Sequence, residues 1–283
     1  MKYYVVIPAH NEQDFLEGTL QSLVSQTLLP EKVIVVNDNS TDHTEMIIDQ
    51  FTAQYPFITK LNTLSSTEHM PGSKVINAFT KGTQLLDNAY DFIVKLDADL
   101  ILPHNYFSEV ASVFETNNTA GVVGGFVFEE TKSGDWQLNH PMHKKHVRGA
   151  FKAYSKACYT AIGGLKNAMG WDTVDELLAQ FHGFDIITLE GLNVKHLRPT
   201  GNAYNKKAKQ LQGKAMYSMQ YGFTITFIAS LKMAMKQRKL HAFFDNMKGY
   251  FHAKKQKTPF MVHPEEGKFI RNLRWQGIKK QLF

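Results

Sequence analysis

The stretch "IVKLDADLILP", Ile93 to Pro103, closes an apolar run with two aspartates one residue apart. Alternate residues of extended backbone project to the same side, so Asp97 and Asp99 can present their carboxylates to one ligand. Hard oxygen donors of this kind suit Mg2+ or Mn2+, which proteins hold with few carboxylates while substrate phosphates supply the rest. The pair reads as a seat for a metal and a diphosphate. Two other polar clusters follow apolar runs in the same way, Pro8-Ala9-His10-Asn11-Glu12 and Asn37-Asp38-Asn39-Ser40. In the second, Asp38 can accept a hydrogen bond from a base. Each cluster taken singly also has a plain structural reading, as a turn, a helix N-cap or a solvated acidic bend. Other phosphate cradles are missing from the sequence: no G-x-G-x-x-G follows the first apolar run, and G-x-x-x-x-G-K-[ST] does not occur. A dinucleotide enzyme or P-loop NTPase is thereby disfavoured.

Hydrophobic period indicates the elements that must position these groups. Runs rich in Val, Ile and aromatic residues at 3–9, 32–38, 57–64 and 90–97 read as strands, and 13–26, 41–54 and 73–87 read as helices. The early strands start about 30 residues apart, the size of a βαβ unit, which predicts an α/β fold with a mainly parallel sheet flanked by helices. Ligands of such sheets collect at the carboxyl edge of the strands, and all three polar clusters fall there. A further strand is predicted at 121–130, "GVVGGFVFEE", where paired glycines permit close backbone approach. Residues 131–147 break the pattern and read as a mobile loop that closes over a ligand. The loop's His140, His143 and His146 suggest zinc only faintly, since no cysteine joins them.

Taken together, these segments resemble the bacterial-type family 2 glycosyltransferases of the GT-A fold. "VVIPAHNE" and "VIVVNDNSTD" are similar to that family's first two nucleotide-binding segments and "KLDAD" to its DxD motif, over roughly residues 3–200. The resemblance implies that Pro8, Ala9, Glu12 and Asp38 contact the base and ribose and that Lys74, in "PGSKVINA", lies near the nucleotide. It further implies that Asp97 helps hold the nucleotide sugar and that Asp99 ligates Mn2+ or Mg2+, with His196 of "VKHLRPTG" as another metal ligand and Arg198 available to neutralise diphosphate charge. The family's general base is an acid after a glycine and before a helix. In "GGLKNAMGWDTVDELLAQFHGFDI" (163–186), counting back from Gly183-Phe184 puts Asp172 on that position, with Asp175 and Glu176 as rivals. A capping box from Thr173 to Glu176 would explain the rivals structurally. The implied activity is inverting transfer of a sugar from a nucleotide-diphosphate sugar to a hydroxyl of a glycan or lipid-linked acceptor, as in the building of cell-envelope polysaccharide. UDP is the favoured nucleotide, with GDP and dTDP open. The alternatives are a sugar nucleotidyltransferase, which usually carries a glycine-rich basic loop after the first strand, and a catalytically lapsed nucleotide-sugar or glycan-binding module.

Charge divides the chain. The formal net charge is +6, yet residues 232–283 hold 13 Lys+Arg against 3 Asp+Glu, which leaves the first 231 residues at −4. The acidic main body argues against a nucleic-acid partner, whereas the basic tail calls for an anionic surface. From Lys236 onward, Leu240, Phe243, Phe244, Met247 and Phe251 recur at helical spacing among lysines, the pattern of a helix lying on an anionic membrane surface. Met216, Met219, Met233 and Met235 either fill core gaps or line a lipid-acceptor groove. The predicted organisation is a GT-A catalytic domain over 1–205 and a basic, helical, membrane-associating extension over 206–283. No secretion signal is visible, and "YGFTITFIASL" is too short to span a bilayer. A single cysteine, Cys158, suits a reducing compartment. The expected location is therefore cytoplasmic, peripheral at the inner face of the cell membrane.

Overall fold

The structure, a computed structural model, describes residues 1–65, 72–131, 133–138, 146–198 and 208–282. It begins with alternating strands and helices, β1 (Tyr3–Ala9), α1 (Leu16–Val24), β2 (Lys32–Asp38), α2 (Thr44–Gln54), β3 (Ile58–Thr63), α3 (Ser73–Thr83) and β4 (Phe92–Leu96). There follow β5 (Leu100–Ile101), α4 (Tyr106–Thr116), β6 (Ala120–Glu130), β7 (Trp136–Leu138), β8 (Phe151–Ser155), α5 (Lys156–Ala161), α6 (Trp171–Phe181) and β9 (Asp185–His196). Four helices complete the chain, α7 (Ala208–Ser218), α8 (Gly222–Gln237), α9 (Leu240–Lys255) and α10 (Pro264–Leu282). The chain divides into two compact units, one of Met1–Met70, Lys74–Leu165 and His182–Thr200, the other of Pro71–Ser73, Lys166–Phe181 and Gly201–Phe283.

In the first unit the described residues form one nine-stranded sheet of order β3-β2-β1-β4-β8-β6-β9-β5, with β7 hydrogen-bonded to β6. From β3 through β4 all neighbours are parallel, as the βαβ spacing predicts. Beyond β4 the sheet is mixed: β8 is antiparallel to both β4 and β6, while β6 and β9 are parallel. Tyr3 to Ile7 are fully buried, which is why β1 shows an unbroken apolar run instead of alternation. Tyr3 stacks on Phe92 at 4.8 Å between ring centroids and packs against Phe107 at 4.6 Å, tying β1 to β4 and α4.

The helices are shorter than their hydrophobic pattern. α1 begins at Leu16 because residues 11–13 are engaged with the loop after β2. α2 begins at Thr44, whose amide donates to Asp42 Oδ1 at 3.0 Å. Part of the segment expected to be a mobile loop is instead a strand, since Trp136–Leu138 pairs with Phe128–Glu130. Of its three histidines, His140 and His143 lie outside the described residues.

The paired glycines of β6 serve close approach, as expected. A Cβ on Gly124 would lie 2.4 Å from Val147 Cγ1, and one on Gly125 would lie 2.2 Å from the carbonyl oxygen of Leu192 in β9. β6 and β9 carry register shifts at this place, so the glycine lets the two backbones touch where the ladder is irregular.

The second unit is helical. α7 and α9 cross backbone to backbone: a Cβ on Gly213 would sit 1.8 Å from the carbonyl oxygen of Asn246, and one on Gly249 2.0 Å from that of Gln210. Phe181 of α6 meets Phe269 of α10 at 5.6 Å. The helical pattern read from Lys236 is interrupted, because Arg238 adopts φ 54° and ends α8 before α9 restarts at Leu240. Met216 and Met219 are buried, whereas Met235 is exposed. Among the described residues no helix is long and apolar enough to cross a membrane.

Gly125→Ala is expected to lower unfolding free energy by about 1–3 kcal/mol, because neither contacted backbone can yield without breaking the ladder. Gly191→Ala, in the same pair of strands but with nothing within 4 Å of its added Cβ, is expected to change stability by no more than ~0.5 kcal/mol. Urea denaturation of the two variants checks the contrast, and equal effects would mean that β6 and β9 are not in contact at Gly125.

Candidate active site

The carboxyl ends of β1, β2 and β4 lead into three loops that open on one cleft of about 390 Å³. It is lined by Pro8, Ala9, His10 and Glu12 from the first loop, Asp38 from the second, and Asp97, Ala98 and Asp99 from the third. Lys74, in the first turn of α3, and Arg198, just beyond β9, complete the polar lining.

The first two loops are held by each other. Asn11 and Asn39 both have positive φ, 55° and 57°, a region asparagine tolerates better than most residues, and they fall two residues and one residue beyond the ends of β1 and β2. The Asn11 amide donates to Ser40 Oγ at 3.0 Å, the Thr41 amide to Asn11 Oδ1 at 2.8 Å, and the Glu12 amide to Thr44 Oγ1 at 2.7 Å. Much of "VNDNSTD" thus fixes the loop that carries Glu12. Asp38 is positioned separately, with Oδ1 accepting from the Thr63 hydroxyl at 3.0 Å and the Ser65 amide at 2.9 Å, while His10 Nδ1 lies 2.7 Å from its carbonyl oxygen.

The Asp97-Ala98-Asp99 turn falls between β4 and β5 and is pinned through its backbone. The Asp97 amide donates to Ala150 at 2.7 Å and the Leu197 amide to the carbonyl of Asp99 at 2.9 Å. Thr19, fully buried in α1, donates its hydroxyl to Ala98 O at 2.8 Å and accepts from the Leu100 amide at 2.9 Å. Both carboxylates consequently reach the same cleft, as the one-residue spacing predicts.

Each carboxylate has its own cation. Lys95, buried two residues before Asp97 on the same side of β4, pairs with it. Arg198 pairs with Glu12, lies 3.9 Å from Asp99 Oδ2 through Nε, and rests over the Phe15 ring at 5.0 Å. His196 ends β9 with Nε2 3.3 Å from Asp99 Oδ2 and Nδ1 3.4 Å from Glu129 Oε1. Burial pushes the Glu12 carboxyl up to about 7, the charges of Asp99 and Asp97 adding to the rise and Arg198 opposing it. Desolvation also raises the Asp97 pKa, although 31 % of its side chain stays open to the cleft; Asp99 adds to this and Lys95 counters it. For His196, burial disfavours the imidazolium, but the hydrogen bond and charge of Asp99, with Asp97 and Glu129, outweigh it and raise the pKa.

This donor set fits a divalent cation of the Mg2+ or Mn2+ class. Among the described residues no cluster of three or more His, Cys, Asp or Glu side chains is arranged to hold a metal. Asp99 Oδ2 and His196 Nε2 nevertheless lie 3.3 Å apart, close enough to share one cation in place of the proton between them, and the carboxylate of Glu129 stands behind the imidazole, as is usual for a ligating histidine. Two protein ligands suffice for such ions when phosphates supply the others.

Asp172 and Asp175 belong to the second unit. Asp172 is half-buried in the first turn of α6, and Asp175 is 1 % exposed, with Oδ1 accepting from the Glu176 amide at 2.7 Å. Thr173 does not cap the helix, because α6 starts two residues earlier at Trp171 and the Thr173 amide already donates to Gly170. The proposed capping box is thus absent, and Asp175 and Glu176 are buried within the helix.

Lys95, Thr19 and Glu129 are site residues that sequence reasoning missed. Lys95 carries a visible signal, a lysine inside a buried strand on the side of Asp97. Thr19 and Glu129 carry none, as their partners lie about 80 and 67 residues away.

The model of Glycosyl transferase family 2 matches residues 4–175. An uncharacterized glycosyltransferase of Mycoplasma pneumoniae, the MG025 homolog, is 33% identical over 114 residues, covering 40% of this chain and 36% of its own. Among solved structures, Staphylococcus aureus TarS 1–349 in complex with UDP-GlcNAc is similar at TM-score 0.57 and 16% identity, over 75% of this chain and 65% of that one. The mannosyltransferase PcManGT from Pyrobaculum calidifontis, in complex with GDP-Man and Mn2+, is similar at TM-score 0.59 and 15% identity, over 100% of this chain and 81% of that one. The shared fold is GT-A. The chain spans only about a third of the length of the Mycoplasma relative, 36%.

Two changes test the site's construction. Thr19→Val removes the hydroxyl's bonds to Ala98 and Leu100 at constant shape and is expected to cost about 1–3 kcal/mol of stability, more than Thr19→Ser, which keeps the hydroxyl, in urea melts. Glu12 is protonated in both folded and unfolded chain below pH 4.5, so its ionisation begins to cost stability above that pH and costs most above about 7. Glu12→Gln is therefore expected to exceed the wild type by about 1–3 kcal/mol at pH 8 and to match it at pH 4. Parallel stability curves from pH 4 to 8 would show that Glu12 titrates as an ordinary carboxylate.

Proposed function

Because the chain belongs to glycosyl transferase family 2, we propose that it is an inverting glycosyltransferase, moving a sugar from a nucleotide-diphosphate sugar to a hydroxyl of a glycan or lipid-linked acceptor. The observation that carries this reading is the gathering of three strand-end clusters on one cleft, with Asp38 at one side and the Asp97-Ala98-Asp99 turn at the other. Asp38, its Oδ1 already engaged by Thr63 and Ser65, offers Oδ2 to an N–H of the base. Pro8, Ala9 and Glu12 line the place of base and ribose, and Lys74 supplies positive charge near the nucleotide. Asp97 orients the nucleotide sugar and is itself held by Lys95.

Asp99 and His196 are the residues that would hold Mn2+ or Mg2+, which when bound offsets negative charge on the diphosphate. Arg198 is available for the same charge once it leaves Glu12. UDP is the favoured nucleotide. In the transfer, the acceptor oxygen attacks the anomeric carbon on the face opposite the diphosphate, whose bond to that carbon breaks with the electron pair leaving on the nucleotide. The hydroxyl proton passes to the carboxylate of Asp172, with Asp175 as the rival base. An acceptor presented at the inner face of the cell membrane fits this reading.

Nucleotide release from UDP-, GDP- and dTDP-sugars, with Mn2+, Mg2+ or a chelator, is expected to be metal-dependent and confined to one donor. Asp172→Asn is expected to lower transfer by ~10²–10⁴-fold while nucleotide affinity stays within a few-fold of wild type. Loss of nucleotide affinity equal to the loss of rate would remove Asp172 from the role of base. An Asp175→Asn variant that alone abolishes transfer would hand the role to Asp175.

A further inference from the structure

Five phenylalanine rings run without a break across α8 and α9. Phe251 meets Phe223 at 5.9 Å, Phe223 meets Phe227 at 6.1 Å, Phe227 meets Phe243 at 5.2 Å and Phe243 meets Phe244 at 5.4 Å between centroids. Rings in mutual contact are ordinarily core. Here Phe223, Phe227, Phe244 and Phe251 are 51, 40, 68 and 50 % exposed, and Leu231, Met235 and Leu240 extend the patch. The spacing produces it, because Phe223, Phe227 and Leu231 recur every four residues on one face of α8.

Cations border the rings. Exposed Lys248 and Lys255 follow Phe244 and Phe251 by four residues, so each lies beside a ring on α9, and Lys232 and Lys236 stand exposed along α8. Between Lys232 and Lys257 the chain has eight Lys+Arg and a single acid, Asp245. A contiguous exposed apolar patch of this kind marks an interaction surface. The bordering charge selects the partner. A second copy would bring one block of cations against another, whereas a surface of lipid phosphates complements both the rings and the lysines.

We propose that the α8–α9 face docks on an anionic lipid bilayer, with the phenylalanines entering the boundary between headgroups and acyl chains and the lysines meeting lipid phosphates. The attachment is peripheral, and both helices take part, α8 with Phe223 and Phe227 and α9 with Phe243, Phe244 and Phe251. It stands independently of the transferase reading.

The test is co-sedimentation of the full chain with vesicles of phosphatidylcholine alone or of phosphatidylcholine with phosphatidylglycerol. Binding is expected to be about tenfold or more tighter to the anionic vesicles and to weaken as salt is raised. The double variant Phe244→Glu/Phe251→Glu is expected to lose about tenfold or more in vesicle affinity. A second variant, Lys248→Glu/Lys255→Glu, is expected to lose the preference for anionic lipid, both with unaltered melting and unaltered nucleotide binding. No binding to either vesicle, equal binding to both, or anionic binding indifferent to both variants would overturn the proposal. A concentration-dependent dimer in analytical ultracentrifugation, abolished by Phe244→Glu, would instead assign the face to a second copy.

Discussion

Everything at the cleft depends on one turn. Asp97-Ala98-Asp99 lies where the sheet parts, between a strand that pairs toward β1 and a two-residue strand that pairs toward β9. A free acidic turn at a strand end would be solvated and mobile. This one has its peptide groups taken by Ala150, Leu197 and the buried hydroxyl of Thr19, so the two carboxylates keep fixed directions. Preorganisation of this kind is what a charged ligand needs, since the cost of ordering the groups is met during folding.

The same region concentrates charge that does little for stability. Lys95 with Asp97, and His196 with Asp99 and Glu129, are pairs drawn largely out of water, where desolvation offsets most of the attraction. An apolar set of the same volume would fold as well. The raised carboxyls of Glu12 and Asp97 express this cost: burial desolvates both, and neighbouring acids add to a rise that Arg198 and Lys95 only partly offset. Buried, mutually perturbed ionisable groups gathered at one cleft mark a site for a charged ligand.

What was legible in the sequence follows from how far each signal reaches. β1, β2 and β4 were readable because strands buried on both faces leave continuous apolar runs, and their polar ends stood out against those runs. Asp97, Asp99, Asp38 and Glu12 were therefore found together and lie together. The antiparallel entry of β8 between β4 and β6 was not readable, since strand order depends on pairings far apart in the chain. Thr19 and Glu129 were invisible for the same reason. The misread capping box at Thr173 shows the opposite limit: the local pattern was present, but Gly170 and Trp171 start the helix earlier, so tertiary burial of Asp175 and Glu176 overrides it.

The pairing of β5 with β9 also sets an order of assembly. Leu100 is matched to His196, and the amide of Leu197 closes on Asp99, so roughly a hundred residues must be made before the turn can be completed. A nascent chain that has already produced β1, β2 and β4 owns most of the cleft's side chains yet lacks its last two cations, His196 and Arg198. A fragment ending before β9 is for this reason a scaffold with unbalanced acids, not a smaller working site. Completion waits on a late, long-range closure.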